Sequence, residues 1–319
     1  MALLHGYKLI GDFQTAGSGT ARWCYAEKNC QPFFIKEFLK PAYPVDRDML
    51  GEEVYAARLA ACEAFVRRKE RIYRALRETG TGSIVPVEDF FREGSRYYAV
   101  SERIMDHKLT GEEISSLSRE NRMVLLRLLV WDLMSLQRLG LVHGDLKLDN
   151  VLLKLTGKGF VTLKLIDFDS CYFEDDPPVG EGIQGDAVYM APETLLAILG
   201  EDMRLTHKAD IFSLGILFHQ LLTGELPAFD PACDYLNVAV LEDSPVTLAP
   251  ALPDALRSLL TGMLRKDPAD RPDYPEIFAA LEPPRVPEPP KPAPVFPKPA
   301  EKKPEGKKGG YMHRLSSLD

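Results

Sequence analysis

The segment His143-Gly144-Asp145-Leu146-Lys147-Leu148-Asp149-Asn150 sets a carboxylate at Asp145, an ammonium two residues on at Lys147 and an amide at Asn150. Seventeen residues after Asn150 come further carboxylates in Asp167-Phe168-Asp169, and Ala191-Pro192-Glu193 follows. Transfer of a phosphoryl group from a nucleotide calls for such a set. One carboxylate has to face the attacking hydroxyl and accept its proton. A second carboxylate and an amide have to hold metal ions on the phosphates, and a cation beside the transferring group offsets its charge. A solvated turn between a helix and a strand needs none of these residues at this spacing.

Upstream, Lys36 stands in the apolar run Phe33-Phe34-Ile35-Lys36. A charge there is costly unless it is paired. Glu63 and Glu70 are seven residues apart and so share one face of a helix. Gly17-Ser18-Gly19 forms a glycine-bearing turn whose backbone amides can cradle phosphate.

These residues need a scaffold, and periodicity supplies one. Strands are expected at 7–14, 22–27 and 32–39, then a proline-bearing loop at 40–50. Residues 51–78 read as one long helix, with Val54, Ala57, Ala61, Ala64 or Phe65, Ile72 and Leu76 recurring at helical spacing and Thr79-Gly80-Thr81-Gly82 ending it. Two more strands follow at 84–91 and 96–104. Helices then dominate, at 119–139, 192–199, 207–223, 253–265 and 273–281, interrupted by short strands at 151–155 and 161–166. The expected architecture is α+β and bilobal, with a five-stranded N-terminal lobe (7–101) carrying one main helix, a connecting stretch at 102–108 and a mostly helical C-terminal lobe (109–282).

With 45% apolar residues the chain can bury a sizeable core, and its net charge of −8 argues against a nucleic-acid binder. Residues 283–319 carry eight basic and four acidic side chains, so a body of −12 bears a tail of +4. Five scattered cysteines without metal-ligand spacing point to reduced thiols and a cytoplasmic setting. No apolar run is long enough for a membrane span or signal peptide, so no membrane association is expected. Ten prolines among residues 283–304 describe an extended linker, leading to a basic tail at 305–319.

The ordered set His143-x-Asp145-x-Lys147-x-x-Asn150, Asp167-Phe168, Ala191-Pro192-Glu193, Asp210–Gly215 and Arg271-Pro272 resembles the eukaryotic-type protein kinases over residues 7–282. The resemblance implies a protein-kinase fold, ATP and Mg²⁺ as cofactors, and a serine/threonine protein substrate. Asp145 would then orient the substrate hydroxyl and Lys147 the transferring phosphoryl, while Asn150 and Asp167 would hold metal. Lys36 would touch the α/β-phosphates and pair with Glu70, or with Glu63. Gly17, Ser18 and Gly19 would cover the phosphates, Cys24 would be an apolar ceiling over adenine, Ser101 would precede the hinge, and Glu102 and Ile104 would line it. Glu193 and Arg271 would form a buried ion pair, and Asp210 would bond the backbone of the catalytic loop.

The chain departs from that pattern at several points. Arg22 takes the third glycine position, Gly144 replaces the usual Arg before Asp145, Asp169 replaces the Gly of Asp-Phe-Gly, and Asp186 stands where a Thr is usual. Residues 169–189 hold one Ser, no Thr and an acidic centre, Glu174-Asp175-Asp176. The phosphate receptor and the usual acceptor are missing together, so activity independent of activation-loop phosphorylation is expected. Two alternatives stand beside a protein kinase: a small-molecule kinase of related fold, and a pseudokinase scaffold. The chain is also similar to small bacterial kinases of tellurite-resistance-like systems, which implies a phosphatase and a von Willebrand A-type protein as partners. The tail 305–319 reads as a tethered short motif, with Ser316 and Ser317 as candidate self-labelling sites.

Overall fold

The computed structural model describes residues 2–15, 21–45, 50–104, 116–155 and 161–281. The chain divides into a compact unit, Met1–Glu282, and a second, Pro283–Asp319. The linker and tail expected at 283–304 and 305–319 lie outside the described residues, as does Gly17-Ser18-Gly19.

The N-terminal sheet has six strands where five are expected, because Leu3–Leu4 (β1) pairs with the next strand. Tyr7–Thr15 (β2), Ala21–Lys28 (β3) and Gln31–Phe38 (β4) form an antiparallel meander. Val87–Glu93 (β5) and Arg96–Glu102 (β6) complete it in the order β1-β2-β3-β4-β6-β5. Antiparallel partners share a face, and register therefore sorts the side chains. Ile35 pairs with Cys24 and Val100, and that face buries Leu4, Tyr7, Ala26, Ile35, Tyr98 and Val100 in a small outer core. Lys36 pairs with Trp23 and Ala99, so these three share the face of the sheet opposite to Ile35.

That inner face meets the helix Glu52–Glu78 (α1), which buries Cys62, Lys69, Ile72, Tyr73 and Leu76. The positions 62, 69 and 76 recur at seven residues, which keeps them on one stripe. Glu52 and Glu53 suit its positive end, Arg77 its negative end, and the Thr79 hydroxyl donates to the Leu76 carbonyl at 2.8 Å.

The lower lobe is built on Arg119–Arg138 (α2), capped by Ser118 accepting from the Asn121 N–H. It continues through Leu141–Val142 (β7), Val151–Leu155 (β8), Val161–Leu165 (β9) and Tyr172–Phe173 (β10). The helices Pro192–Ile198 (α3), His207–Thr223 (α4), Leu236–Leu241 (α5), Asp254–Met263 (α6) and Tyr274–Ala280 (α7) follow. α4 is buried almost all round, as expected of a central helix. A Cβ at Gly215 would lie 3.0 Å from Leu264 and 3.1 Å from Met263, so this glycine lets α4 approach the end of α6. Among the described residues, no helix is long and apolar enough to cross a membrane.

Candidate active site

The loop between β7 and β8 carries Asp145, Lys147 and Asn150. Its backbone is fixed from outside by Asp210, on the first turn of α4, whose carboxylate accepts from the N–H groups of His143 at 2.7 Å and Gly144 at 3.0 Å. Burial raises the Asp210 carboxyl above its ordinary range against these bonds. Asn150 Nδ2 donates to the Asp145 carbonyl at 2.7 Å and to Asp145 Oδ2 at 3.2 Å. The Asp186 N–H donates to Asp145 Oδ1 at 2.9 Å. Lys147 Nζ lies 3.0 Å from Asp145 Oδ2 and 3.6 Å from Asp186 Oδ2. Burial works against the Lys147 ammonium, but Asp145, Asp186 and Asp167 outweigh it and raise its pKa. Asp145, Lys147 and Asn150 therefore form one connected group, its carboxylate aimed and still partly open to solvent.

Asp167 follows β9 and sits at φ 62°, a left-handed conformation that a non-glycine residue adopts only when its surroundings impose it. Phe168 is buried beside the His143 ring, centroids 5.0 Å apart, which holds the turn in place. Both oxygens of Asp167 lie within 3.0 Å of Lys36 Nζ, which comes down from β4.

The expected Lys36–Glu70 pair is absent. Glu70 is on the exposed face of α1, and Glu63 is exposed and pairs with Arg67 at 3.7 Å. The buried residue at this level of the helix is Lys69, one position earlier, because the stripe that packs on the sheet runs through 62, 69 and 76. Lys36 takes its second carboxylate from Asp169, at 2.5 Å, and Lys69 also reaches Asp169. Burial works against the Lys36 ammonium, yet Asp169 and Asp167 hold its pKa well above the ordinary lysine range. Burial also opposes the Asp169 carboxylate, and Lys36 and Lys69 overcome it and hold it below the ordinary aspartate range.

Cys24 needs a second correction. Strand register turns it to the face opposite Lys36, where its buried Sγ lies 3.2–3.7 Å from the carbonyls of Tyr25, Gly11 and Ile10, and burial pushes the thiol pKa up. The face that carries Lys36 is roofed instead by aromatics. Trp23 stacks on Phe34 at 5.6 Å and meets Tyr25 edge-on at 5.1 Å, and the Arg103 guanidinium lies 3.6 Å from the Tyr25 ring centre. Ser101 pairs with Phe34 and shares this face, half-buried. Glu102 is exposed at the end of β6, Ile104 is half-buried, and the Arg103 N–H donates to the Pro32 carbonyl at 3.2 Å. Arg22 is tied to the outer face by the buried Glu37, Nε to Oε2 at 2.6 Å.

Lower down, Arg271 and Glu193 form a buried bidentate pair, both contacts at 2.7 Å. The activation segment is held from two sides. Glu174 accepts from the His207 N–H at 2.8 Å and lies 2.6 Å from His207 Nδ1. Asp175 takes both contacts from Arg71 at 2.9 and 3.0 Å, and Arg68 donates to the Asp176 carbonyl at 3.0 Å. Gly144 has φ +77°, and a Cβ there would lie 2.6 Å from the Ser170 carbonyl, so no side chain fits where the loop crosses.

The sequence also matches known proteins. The protein kinase domain family matches residues 18–281. The chain is 30% identical over 220 residues to the ovarian-specific serine/threonine-protein kinase Lok of Drosophila melanogaster, covering 66% of this chain and 42% of Lok. It is 26% identical over 275 residues to calcium-dependent protein kinase 26 of Arabidopsis thaliana, covering 80% of this chain and 55% of that one. It is 26% identical over 216 residues to human serine/threonine-protein kinase ULK1, covering 64% of this chain and 20% of that one. The match thus spans between a fifth and about half of these relatives' own lengths. The chain belongs to the protein kinase family, in the company of its serine/threonine members.

Proposed function

We propose that the chain is an ATP- and magnesium-dependent serine/threonine protein kinase that works without phosphorylation of its activation segment. One arrangement carries the reading: Asp145, Lys147, Asn150, Asp167 and Lys36 brought together from three parts of the chain, with Asp145 hydrogen-bonded in place. Asp145 is oriented by Asn150 and the Asp186 N–H to accept the proton of an incoming hydroxyl. Lys147 sits beside it to offset charge on the transferring group, and Lys36 is aimed by two carboxylates to meet phosphate.

The donor set fits a magnesium ion. Asn150 spends its Nδ2 on Asp145, which leaves its amide oxygen as a ligand, and the Asp167 carboxylate is the second hard oxygen donor. Bound there with nucleotide phosphates, the ion would neutralise charge developing on them. Independence from loop phosphorylation is supported by Gly144, which leaves no room for a phosphate-reading arginine, and by Glu174, Asp175 and Asp176, which already tie the segment to α1 and α4. A phosphatase, a von Willebrand A-type partner and a cytoplasmic setting belong to the same proposal, and co-purification of the full chain with either partner tests that part.

The decisive experiment incubates the chain with γ-labelled ATP, magnesium and a serine-containing protein, beside Asp145→Ala, and maps the labelled residues. Label that falls at least about a thousandfold in the variant is expected. Equal label in both, or none in either with ATP bound, overturns the reading; a phosphate on Ser170 that switches the enzyme on overturns loop independence.

A further inference from the structure

Lys69 is 7% exposed and lies on the apolar stripe of α1. An ammonium in such a place is costly unless it is paired. Its Nζ donates to the Asp169 carbonyl at 2.9 Å and lies 3.5 Å from Asp169 Oδ1. Three rings surround it, Phe38 at 5.0 Å, Tyr73 at 5.8 Å and Phe65 at 5.9 Å, which favours a cation over a carboxylate at this position. The other oxygen of Asp169 meets Lys36 at 2.5 Å. Two lysines thus face two aspartates, Asp167 and Asp169, and the cluster is neutral.

We infer that Asp169 is the carboxylate that positions Lys36, and that Lys69 positions Asp169 in turn, so that a Lys69–Asp169–Lys36 relay stands where a direct helix-glutamate pair was expected. The inference rests on the kinase reading above. The two departures compensate one another: the carboxylate has moved from the helix to the metal-binding turn, and a cation has moved onto the helix. Lys69 binds both the backbone and the side chain of Asp169, so the position of α1 is communicated to Lys36 through the turn that carries Asp167. Asp169 and Lys69 touch no reacting atom in this scheme; they are positioning residues.

The test measures ATP affinity in an Asp145→Ala background, where nothing turns over, and phosphoryl-transfer kinetics in the active chain. Asp169→Asn should weaken ATP binding about tenfold and lower kcat/KM about a hundredfold. Glu70→Gln, which lies outside the cluster, should change neither. Lys69→Glu alone should be as damaging as Asp169→Asn, because it sets two carboxylates side by side. The double variant Lys69→Glu/Asp169→Gly returns the carboxylate to the helix and should recover to within about tenfold of wild type. A merely structural role would give losses that track thermal stability, without rescue. Wild-type ATP affinity in Asp169→Asn, or a double variant no better than Lys69→Glu, overturns the relay. Wild-type chain that binds ATP and transfers no phosphoryl overturns the kinase reading instead, and the affinity series still decides the relay.

Discussion

In the loop between β7 and β8, the contacts among Asp145, Lys147 and Asn150 join residues two to five positions apart, and Asp210 pins the backbone from across the lobe. In the lysine cluster the separations are 131 residues for Lys36–Asp167 and 100 for Lys69–Asp169. Both regions fix a carboxylate beside a cation. The loop does so with a short peptide that folds on itself, so its residue types have to appear in a set order. The cluster does so by convergence of a strand, a helix and a turn, so a charge can migrate from one element to another while the pairing survives. Order is constrained where contacts are local; only total charge and shape are constrained where contacts are remote.

That contrast can be broken at Asp210, where the largest effect on stability is expected. Asp210→Ala leaves the His143 and Gly144 N–H groups without their acceptor, and about 3 kcal/mol of stability should be lost, with transfer slowed about a hundredfold. Denaturant unfolding and steady-state kinetics check it, and survival of full activity would mean that the loop holds its own shape.

A second buried carboxylate sharpens the contrast with Asp169. Asp132 is fully buried in α2, accepts from the Ser83 hydroxyl at 2.5 Å, and is raised to about 6, chiefly by burial. Its folded value lies above its unfolded one, so its contribution is present while it is protonated and is lost as pH rises from about 4 to 6. Relative to Asp132→Asn, the chain should lose roughly 2–3 kcal/mol across that window, read from unfolding curves at each pH. Asp169, held low by two lysines, runs the opposite way. A flat difference across the window would remove the account of Asp132.

The smallest effect belongs to Arg71→Ala. The Arg71–Asp175 pair is about half exposed on one side and more on the other, so stability should change by under about 1 kcal/mol. Transfer should still slow by about threefold, if ordering of the activation segment depends on α1. Unchanged kinetics would place the hold on this segment with Glu174–His207 and Arg68.

Much of this was legible in the sequence because it is local. Asp145, Lys147 and Asn150 contact one another within six residues, and α4 is found at 207–223 as its apolar run predicts. The short helix α5 and the edge strand β1 were missed, since six and two residues carry too little periodicity. Glu70 was preferred by counting from the next strand, but one residue on a helix is a 100° rotation, and the stripe is decided by packing on the sheet. The usable signal was a lysine in the gap between Phe65 and Ile72 on the apolar face. Cys24 was misplaced for a related reason: strand parity follows from pairing register, and Trp23 rather than Cys24 is opposite Lys36.

The aromatic roof also gives the molecule a built-in optical reporter. The chain has two tryptophans. Trp131 lies on α2, 45% exposed, against Phe278 in the lower lobe, whereas Trp23 is half-buried on the strand face that carries Lys36. With Trp131 replaced by phenylalanine, the remaining indole emission originates from the roof alone, so occupancy beneath it becomes a spectroscopic quantity that needs neither label nor turnover.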